Sequence, residues 1–469
     1  MRTHNTKAIV ALTVVWALAV AACDFNITNP NSPPSIGPNA TAAQVDAAAV
    51  GLLVALRVDH PNWVLKASIL GREGYRLDTA DPRFTTELLA GPLDPSNNAF
   101  GGGQWQPEFR TIQAGYAILN AIGSAQITDA QKDGVRGYVQ TIQALSFLNI
   151  LNAHTQDSIP IDVNRPVGGQ LAPFVSNAVG YQHVVSLLDS ARTHLQSAGS
   201  GFVFDPGPGF AGFSTPATFL KFNRGLMARV RAYQASPNAP GTNCVACWDS
   251  VLTALAGSFI DPAASMDLGV YTVFSTGNQD APNALSQDPA SAVNLAHPFI
   301  KDSVENQVGG SPDKRYLAKV TTRGGGVFSL ACLSSGLSWT RYPTPNSSIP
   351  VIRNEELILL RAEAEWFAAV PNKAQAITDI NTIRQTSGGL APTTLTVGST
   401  NAAFVNELLK QRLYSLLYEG GHRWLDMRRY GRLNQVINDR PTGCPAAGIP
   451  KDTVFSTMPI NIFEVQARQ

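Results

Sequence analysis

Apolar side chains recur every three or four residues along most of this chain, which is the spacing of one face of an α-helix. The first stripe follows Thr41 and Gln44, whose spacing matches a capping box that satisfies free backbone groups at a helix start. The stripe consists of Val45, Ala48, Leu52 and Leu56. The pattern therefore predicts a helix directly after Thr41.

The later stripes come in pairs joined by short connections. A second capping box, Thr128 with Gln131, opens one of them, and Thr215 followed by Pro216 opens another. The paired stripes are Trp105 to Leu119 with Val135 to Leu148, Tyr181 to Leu195 with Phe219 to Tyr233, and Leu357 to Phe367 with Ile377 to Ile383, and a last single stripe runs from Val405 to Leu416. One helix pair cannot bury its apolar stripe alone. We therefore predict a mainly α fold, a tetratricopeptide-like array of helical hairpins with long irregular loops and little β structure.

Two stretches lack the helical period, residues 78–103 and residues 258–350, and both are rich in Gly, Pro, Ser and Asn. Long irregular segments in a compact protein are usually functional or disordered. We expect residues 41–469 to form a single domain in which these segments, above all an insertion at about 258–350, carry a binding site.

The N-terminus has the organisation of an export signal. Arg2 and Lys7 precede an uncharged apolar stretch that ends at Ala22 and is too short to span a bilayer, so residues 1–22 are predicted to be a signal peptide. The small residues before Cys23 resemble a bacterial lipobox, which would make Cys23 the lipidated first residue of the mature protein. An ordinary cleaved signal with an incidental cysteine is the alternative. Residues 23–40, rich in Asn and Pro, are predicted to be an extended tether.

Composition excludes some partners. Hydrophobic residues make up 44% of the chain, enough for a sizeable core, whereas only 15% are charged and the net charge is +1. Neither nucleic acid nor an acidic lipid surface is therefore an expected partner.

Four further cysteines are Cys244, Cys247, Cys332 and Cys444. Outside the cytoplasm they favour two disulfides, with Cys244 and Cys247 as the local pair and the other two joined by elimination. A zinc site is the alternative, but it would require a second close pair or a nearby His, and neither Cys332 nor Cys444 supplies one.

Signatures of catalysis are sparse. The chain lacks the H-E-x-x-H, G-x-S-x-G and P-loop motifs and shows no metal-ligand spacing, so we expect a protein that is not an enzyme and holds no cofactor or metal. The glycines at 207, 209 and 212 match a dinucleotide pattern, but the helix begins later, which indicates a plain turn. A run of carboxylates on one helix is interpreted as a solvated face paired with Arg353 and Arg361, rather than a catalytic or metal-binding face. The run consists of Glu355, Glu356, Glu363 and Glu365.

Aromatic residues outside the apolar stripes are candidates for ligand contact. The C–H face of a sugar ring stacks on an indole or phenol, while nearby polar groups bond its hydroxyls. The alternative for each residue is local packing, because large aromatic side chains bury readily in any loop. The candidates are Trp63, Tyr75, Phe100, Trp248, Trp339 and Tyr342.

The C-terminal third contains four characteristic segments, which are residues 353–364, residues 376–384, residues 411–429 and the Met-Pro-Ile at 458–460. These segments resemble the SusD/RagB family of nutrient-binding lipoproteins, and residues 411–429 look like that family's E-R-x-x-E-L-x-x-E-G-x-R-W-x-D-L-R-R signature. Gln411 and Ser415 replace two glutamates of the signature, and one extra glycine follows Glu419. These charged residues are expected to stabilise the fold rather than to mark the ligand site.

The resemblance implies a single domain of tetratricopeptide-like helices with an irregular ligand face, anchored by lipid at the outer membrane and exposed at the cell surface. Its expected partner is a SusC-like TonB-dependent transporter, to which it delivers an oligosaccharide or peptide without breaking bonds. Asp24 directly after Cys23 is a signal for inner-membrane retention in some bacteria, so the outer-membrane assignment rests on the family. The alternatives are a surface-anchored glycan hydrolase and a helical-repeat scaffold for protein partners.

Overall fold

The structure is a computed structural model that describes residues 36–469, except residues 98–99, 102, 156–158, 167, 239–243, 279, 442–443 and 445–450. The predicted signal peptide, the lipidation site Cys23 and most of the 23–40 tether lie outside the described residues. They stay predictions.

The N-terminal helices begin where the capping signals place them. At both predicted capping boxes the Thr hydroxyl accepts from the backbone N–H three residues on, with N···O distances of 3.4 Å for Thr41 and 3.2 Å for Thr128. Pro216 is the first residue of its helix. The helices are α1 (Ala42–Arg57), α2 (His60–Leu70), α3 (Arg83–Ala90), α4 (Gln106–Ile122), α5 (Asp129–Ala153), α6 (Asn177–Ser197), α7 (Pro216–Ala235) and α8 (Cys247–Ala256).

These helices stack in chain order. Helix α4 packs on α5, α5 on α6, α6 on α7 and α7 on α8, so each hairpin buries its apolar stripe against the next. The prediction of a tetratricopeptide-like array of helical hairpins is confirmed. Among the described residues there is no helix that could span a bilayer.

The segment at 258–350 is more regular than expected, because it contains short strands and two short helices. Strands of three to five residues are too short to show a clear alternation of apolar and polar positions, and Gly and Pro interrupt them. Three strands precede this segment, β1 (Gly74–Arg76), β2 (Ile159–Pro160) and β3 (Phe174–Val175). The strands within it, the last of which runs on to Arg353, are β4 (Gly269–Thr272), β5 (Asn294–Ala296), β6 (Val320–Thr322), β7 (Phe328–Leu330), β8 (Leu333–Ser335), β9 (Leu337–Trp339) and β10 (Ile349–Arg353), and its short helices are α9 (Pro298–Asp302) and α10 (Lys314–Lys319).

The strands form small antiparallel sheets. One has the order β1-β5-β9-β6, and the others are the pairs β4–β10, β2–β3 and β7–β8. The four-stranded sheet packs its apolar side chains, such as Leu295 and Leu337, against Ile69 of α2 and Leu88 of α3 in one core cluster. The irregular segments are therefore attached to the helical array through a shared core.

The C-terminal helices build a second core cluster. Trp366 stacks on Phe404 with ring centroids 4.2 Å apart, and Ile358 and Ile380 pack beside them. Helix α12 continues into a π-helical turn at 383–388 that ends at Gly389. The helices are α11 (Asn354–Phe367), α12 (Lys373–Thr382), α13 (Asn401–Ser415), α14 (His422–Arg429) and α15 (Ile462–Gln466).

Three of the four glutamates expected on a solvated face are buried, and that expectation was wrong. Glu355, Glu356 and Glu363 are at most 4% exposed, whereas Glu365 is half-buried. Each buried carboxylate has an arginine partner brought by another part of the chain or by the preceding strand. We call the resulting network the charge seam, and its members are Arg229, Arg353, Glu355, Glu356, Glu363, Arg412, Glu419, Asp426 and Arg429.

The charge seam joins α7, β10, α11, α13 and α14. Arg353 lies 2.8 Å from Glu419 and 2.9 Å from Glu355, and Arg229 lies 2.6 Å from Glu356. A buried ion survives only where such partners replace water.

The rest of the seam lies between α11 and α14, where Arg429 contacts both Glu363 and Asp426. Arg361 was expected to pair on its own helix but contacts Asp379 of α12 at 2.6 Å instead. The expectation that the signature charges stabilise the fold agrees with this geometry.

The departures from the family signature have local explanations. Ser415 donates a hydrogen bond to Glu355 of the charge seam at 2.7 Å, and Gln411 accepts one from Arg315 at 2.8 Å. Both replacing residues are therefore hydrogen-bonded to charged side chains. The extra glycine, Gly421, has a φ of 71°, and a Cβ there would lie 2.2 Å from Ala67. Only glycine fits this approach of α14 to α2.

Both predicted disulfides are present. Cys244 bonds to Cys247 at the start of α8, and Cys332 bonds to Cys444 across a sequence separation of 112 residues. The second bond ties the β7–β8 hairpin to the segment after α14. The alternative of a zinc site is contradicted, since all four sulfurs are used.

Candidate functional site

An open groove of about 440 Å³ is the main candidate site. Its walls are the exposed side of α1, the turn at 205–210, strand β4 and the loop at 273–280. Two of these walls belong to the segment at 258–350 that we expected to carry a binding site. The volume lies within the roughly 300–1,000 Å³ of small-molecule pockets.

Glycines bring the turn close to the strand. Gly207 has a φ of 79°, and Asp205 Oδ1 accepts a hydrogen bond from its N–H at 2.8 Å. A Cβ on Gly209 would lie 2.2 Å from the carbonyl oxygen of Tyr271. The predicted plain turn is confirmed, and it forms one wall of the groove.

Aromatic side chains line the groove. Phe210 and Phe222 are buried and meet edge to face, with centroids 5.7 Å apart. Tyr271 of β4 is half-buried, and its hydroxyl donates to the carbonyl of Asp267. Burial raises the pKa of Tyr271 to about 12, so the phenol stays neutral near pH 7. Among the aromatic residues that line the groove, Tyr271 is thus the one whose side chain is partly open to solvent.

An ion pair lies at the rim of the groove. Arg57, at the end of α1, lies 2.5 Å from Asp280 and also donates to the carbonyl of Val273 at 3.3 Å. The backbone N–H of Ala281 and the Arg57 guanidinium together hold the pKa of Asp280 below its usual range. Arg57, Asp280 and Asp205 thus bring charged hydrogen-bonding groups to the same groove as Tyr271.

Behind the groove lies an inner cavity of about 50 Å³. The two spaces share Leu56, Leu145, Thr272 and Val351 as lining residues. His60 Nδ1 lies 2.8 Å from the Thr272 hydroxyl. Burial, with a smaller effect from the nearby Arg229 charge, lowers the pKa of His60 to about 4, so this histidine is neutral at pH 7.

Glu108 of α4 also lines the inner cavity. Its carboxylate accepts a hydrogen bond from Asn149 at 2.9 Å. Burial raises the pKa of Glu108 to about 8. The carboxyl is therefore mainly protonated at neutral pH.

The aromatic candidates are not in open loops, and that part of the expectation was wrong. Trp63 lies in α2 and Trp248 in α8, while Trp339 lies in β9. Tyr75 lies in β1, and Phe100 and Tyr342 lie outside helices and strands. All six are at most 7% exposed.

Other side chains already occupy the faces of several of these rings. Trp339 stacks on Tyr418, with centroids 4.2 Å apart and planes 3° apart, and Trp248 stacks on Phe367. The Arg83 guanidinium lies 4.6 Å from the ring centre of Phe100. Such rings are packed as core and hold no free face toward solvent.

The polar atoms of the remaining candidates also have partners. The Tyr342 hydroxyl donates to the Tyr418 carbonyl at 2.8 Å, and the Tyr75 hydroxyl lies 2.8 Å from His297 Nε2. Trp63 donates to the Gly420 carbonyl at 3.1 Å and lines the inner cavity. Of the six, Trp63 is thus the one that we find next to the groove.

Sequence reasoning missed the residues of the groove. Tyr271 sits in a strand of four residues, and Arg57 is the last residue of α1, one position beyond the apolar stripe. One signal was available, because Arg57 follows ten uncharged residues of α1. Its partner Asp280 lies more than 200 positions away and could not be found from local patterns.

A second groove of about 430 Å³ lies between α4, residues 160–172 and α15. Its arginines are engaged by neighbouring groups: Arg165 contacts Asp162 at 2.5 Å, and Arg468 contacts Glu464 at 2.5 Å and the ring of Phe174. We therefore favour the first groove, where a half-buried tyrosine accompanies the charged groups.

The sequence model of the SusD family matches residues 288–467, a range that includes β10, α11 and most of the charge seam. The resemblance to the SusD/RagB family is thus confirmed over residues 288–467. No curated protein sequence matches this chain.

Solved structures share the SusD-like fold at low sequence identity. A SusD homolog from Bacteroides thetaiotaomicron has a TM-score of 0.66 at 15% identity, covering 94% of this chain and 98% of its own. A SusD superfamily protein from Parabacteroides distasonis has a TM-score of 0.65 at 17% identity, covering 90% and 97%. Surface glycan-binding protein A from Bacteroides thetaiotaomicron, solved in complex with laminarihexaose, has a TM-score of 0.65 at 14% identity, covering 92% and 98%.

Proposed function

We propose that this SusD-family chain is a glycan-binding subunit that captures an oligosaccharide in the groove beside Tyr271. The observation that carries the proposal is the groove itself, where a half-buried neutral phenol accompanies a rim of charged hydrogen-bonding groups. The laminarihexaose complex of a protein with the same fold supports a glycan as the ligand class. A peptide is the other ligand class that the family resemblance implies.

The chemistry of each groove residue suits a neutral sugar. The C–H face of a pyranose ring stacks on an aromatic side chain, and here Tyr271 is that side chain. Carboxylates accept hydrogen bonds from sugar hydroxyls, whereas a guanidinium donates to them. Asp280 and Arg57 already neutralise each other, so a neutral ligand meets no unbalanced charge at the rim.

The protonation states of the carboxyl groups in and behind the groove support binding rather than hydrolysis. A glycosidase needs one carboxylic acid that is protonated at the working pH beside a carboxylate that is ionised. Asp280 has a lowered pKa and an arginine partner, so it does not provide the acid. Glu108 does have a raised pKa, but it lines an inner cavity of about 50 Å³, which is too small for a glycosidic bond with a sugar ring on each side.

The proposal includes the predicted anchor and partner. A lipidated Cys23, with residues 23–40 as tether, would hold the binding domain at the outer membrane and the cell surface. A SusC-like TonB-dependent transporter would receive the ligand. These elements rest on the N-terminal sequence pattern and on the family. Radiolabelled palmitate should be incorporated into the wild type but not into Cys23→Ala, and equal labelling of the two would contradict the anchor.

The test of the groove is isothermal titration with laminarihexaose, maltohexaose, cellohexaose and xylohexaose. We expect Tyr271→Ala to weaken the hexasaccharide that binds by about two- to tenfold, the value of one aromatic contact. Tyr116→Ala is the matched control, because Tyr116 is also half-buried but lies on α4 outside the groove. Equal losses in both variants would contradict the groove as the site. Release of new reducing ends by the wild type would favour the hydrolase.

A further inference from the structure

Several polar side chains around the inner cavity lack partners. Asn152 Oδ1, the Tyr233 hydroxyl and His422 Nδ1 have no hydrogen-bond partner within the part of the chain that the structure describes. These residues are 6%, 4% and 8% exposed, and all three line the inner cavity. Burying a polar atom without a partner is unfavourable. Three such atoms around one cavity therefore indicate a site where an outside group supplies the hydrogen bonds.

The inner cavity is polar but carries little net charge. The charged groups in its wall are neutralised within the protein, since Arg229 pairs with Glu356 and Glu419 pairs with Arg353. Burial keeps Glu108 protonated near neutral pH, because its pKa is about 8. An incoming carboxylate or ammonium group would find no opposite charge to replace its water. A hydroxyl group, which both donates and accepts, matches the unpartnered atoms.

Size and position limit what can enter. The volume of about 50 Å³ suits a few waters or one small substituent such as a hydroxymethyl group, but no whole sugar ring. A smaller cavity of about 20 Å³ shares Asn152, Tyr233 and Leu425 with the inner cavity, but it is too small to hold a ligand. The neighbouring space large enough for a sugar is the groove, which shares Leu56, Leu145, Thr272 and Val351 with the inner cavity. A ligand in the groove would therefore reach the cavity with a projecting group at one of its ends.

We propose that the inner cavity is the terminal subsite of the groove and receives a hydroxyl-bearing substituent from the last sugar of the ligand. The protein then recognises the ends of neutral oligosaccharide chains rather than their interior. This inference rests on the proposed function of the groove, because the cavity acts on whatever ligand the groove holds.

Tyr233→Phe is the test variant because it removes only a hydroxyl that has no partner among the described residues. The ring remains, and with it the contact to the Arg429 guanidinium. We expect the unfolding midpoint to stay unchanged or to rise. The affinity for the hexasaccharide that the wild type binds should fall by about three- to tenfold, the value of one hydrogen bond. Tyr342→Phe is the control, since it removes a hydroxyl that donates to Tyr418, and it should lower stability without changing affinity.

A second measurement tests recognition of chain ends directly. The hexasaccharide that the protein binds and its parent polysaccharide compete for the groove at equal mass concentration. The parent polysaccharide is amylose for maltohexaose and laminarin for laminarihexaose. End recognition predicts that the polysaccharide competes less well in proportion to its chain length, because it offers fewer ends per unit mass. Recognition of chain interiors predicts equal competition per unit mass.

The outcomes separate the two proposals. Unchanged affinity in Tyr233→Phe together with equal competition per unit mass would overturn the terminal subsite and leave glycan binding intact. A crystal structure of the complex in which the cavity holds waters only would do the same. Failure of the wild type to bind any of the four hexasaccharides would refute the proposed function, and the terminal subsite with it.

Discussion

Glu108 gives the sharpest test of the physical reasoning, because its carboxyl is nearly inaccessible. The side chain is 6% exposed and accepts a hydrogen bond from Asn149. Burial raises its pKa from 4.5 to about 8. Glu108→Gln keeps the shape of the side chain and an oxygen that can accept from Asn149, but it cannot ionise.

The magnitude follows from proton linkage. Between pH 4.5 and pH 8 the folded protein holds a proton on Glu108 that the unfolded chain has released, so the wild type loses stability as the pH rises. At about 1.4 kcal/mol per pH unit, the loss is about 3 kcal/mol at pH 7 and about 5 kcal/mol above pH 8. Glu108→Gln does not lose stability in this way, because its side chain carries no titratable proton. Its stability relative to the wild type should therefore increase with pH over this window.

Urea unfolding at pH 5, 7 and 8.5 measures the difference. We expect the advantage of Glu108→Gln to be small at pH 5 and to grow steadily to pH 8.5. Asp129→Asn is the control, because the Asp129 side chain is 95% exposed and its substitution should give a difference that changes little with pH. An advantage of Glu108→Gln that is the same at pH 5 and pH 8.5 would show that the carboxyl is not held protonated by burial.

Two further predictions concern the framework. Cys332→Ser should lower the free energy of unfolding by about 5 kcal/mol, because it opens a loop of more than a hundred residues, whereas Cys247→Ser opens a very short loop and should cost less than about 3 kcal/mol. Denaturant titration without reductant measures both, and equal losses would contradict the loop-entropy argument. Glu419→Gln should cost about 3–5 kcal/mol, because it leaves Arg353 buried without its main partner. The surface variant Asp81→Asn should cost little, and a similar loss in the two variants would show that the seam is hydrated.

The sequence predicted the helical framework well because helices carry their signals locally. Helix α5 has a capping box at Thr128 and an apolar stripe of regular period, and both lie within its 25 residues and the one residue before them. The site could not be predicted in the same way. Tyr271 lies in a strand of four residues, and the groove exists only because Gly209 brings a distant turn against that strand.

The wrong expectations share one cause, which is that the decisive partner is remote in sequence. Trp339 was a candidate for ligand contact, but Tyr418, which stacks on it, lies 79 positions away. Glu363 was expected to face solvent, but Arg429, which neutralises it, lies 66 positions away. Local patterns identify an apolar or charged residue, whereas its burial depends on which part of the chain folds over it.

The charge seam has an evolutionary consequence. A change at Glu363 alone leaves Arg429 unbalanced in the interior, and a change at Arg429 alone does the reverse, so a lineage that alters one of them passes through a poorly folded intermediate. Homologous sequences should therefore keep both residues or exchange them together. In the groove walls, as far as the structure describes them, the ion pair that we find is Arg57 with Asp280. Loops there are therefore freer to change in sequence, whereas the scaffold behind them stays recognisable.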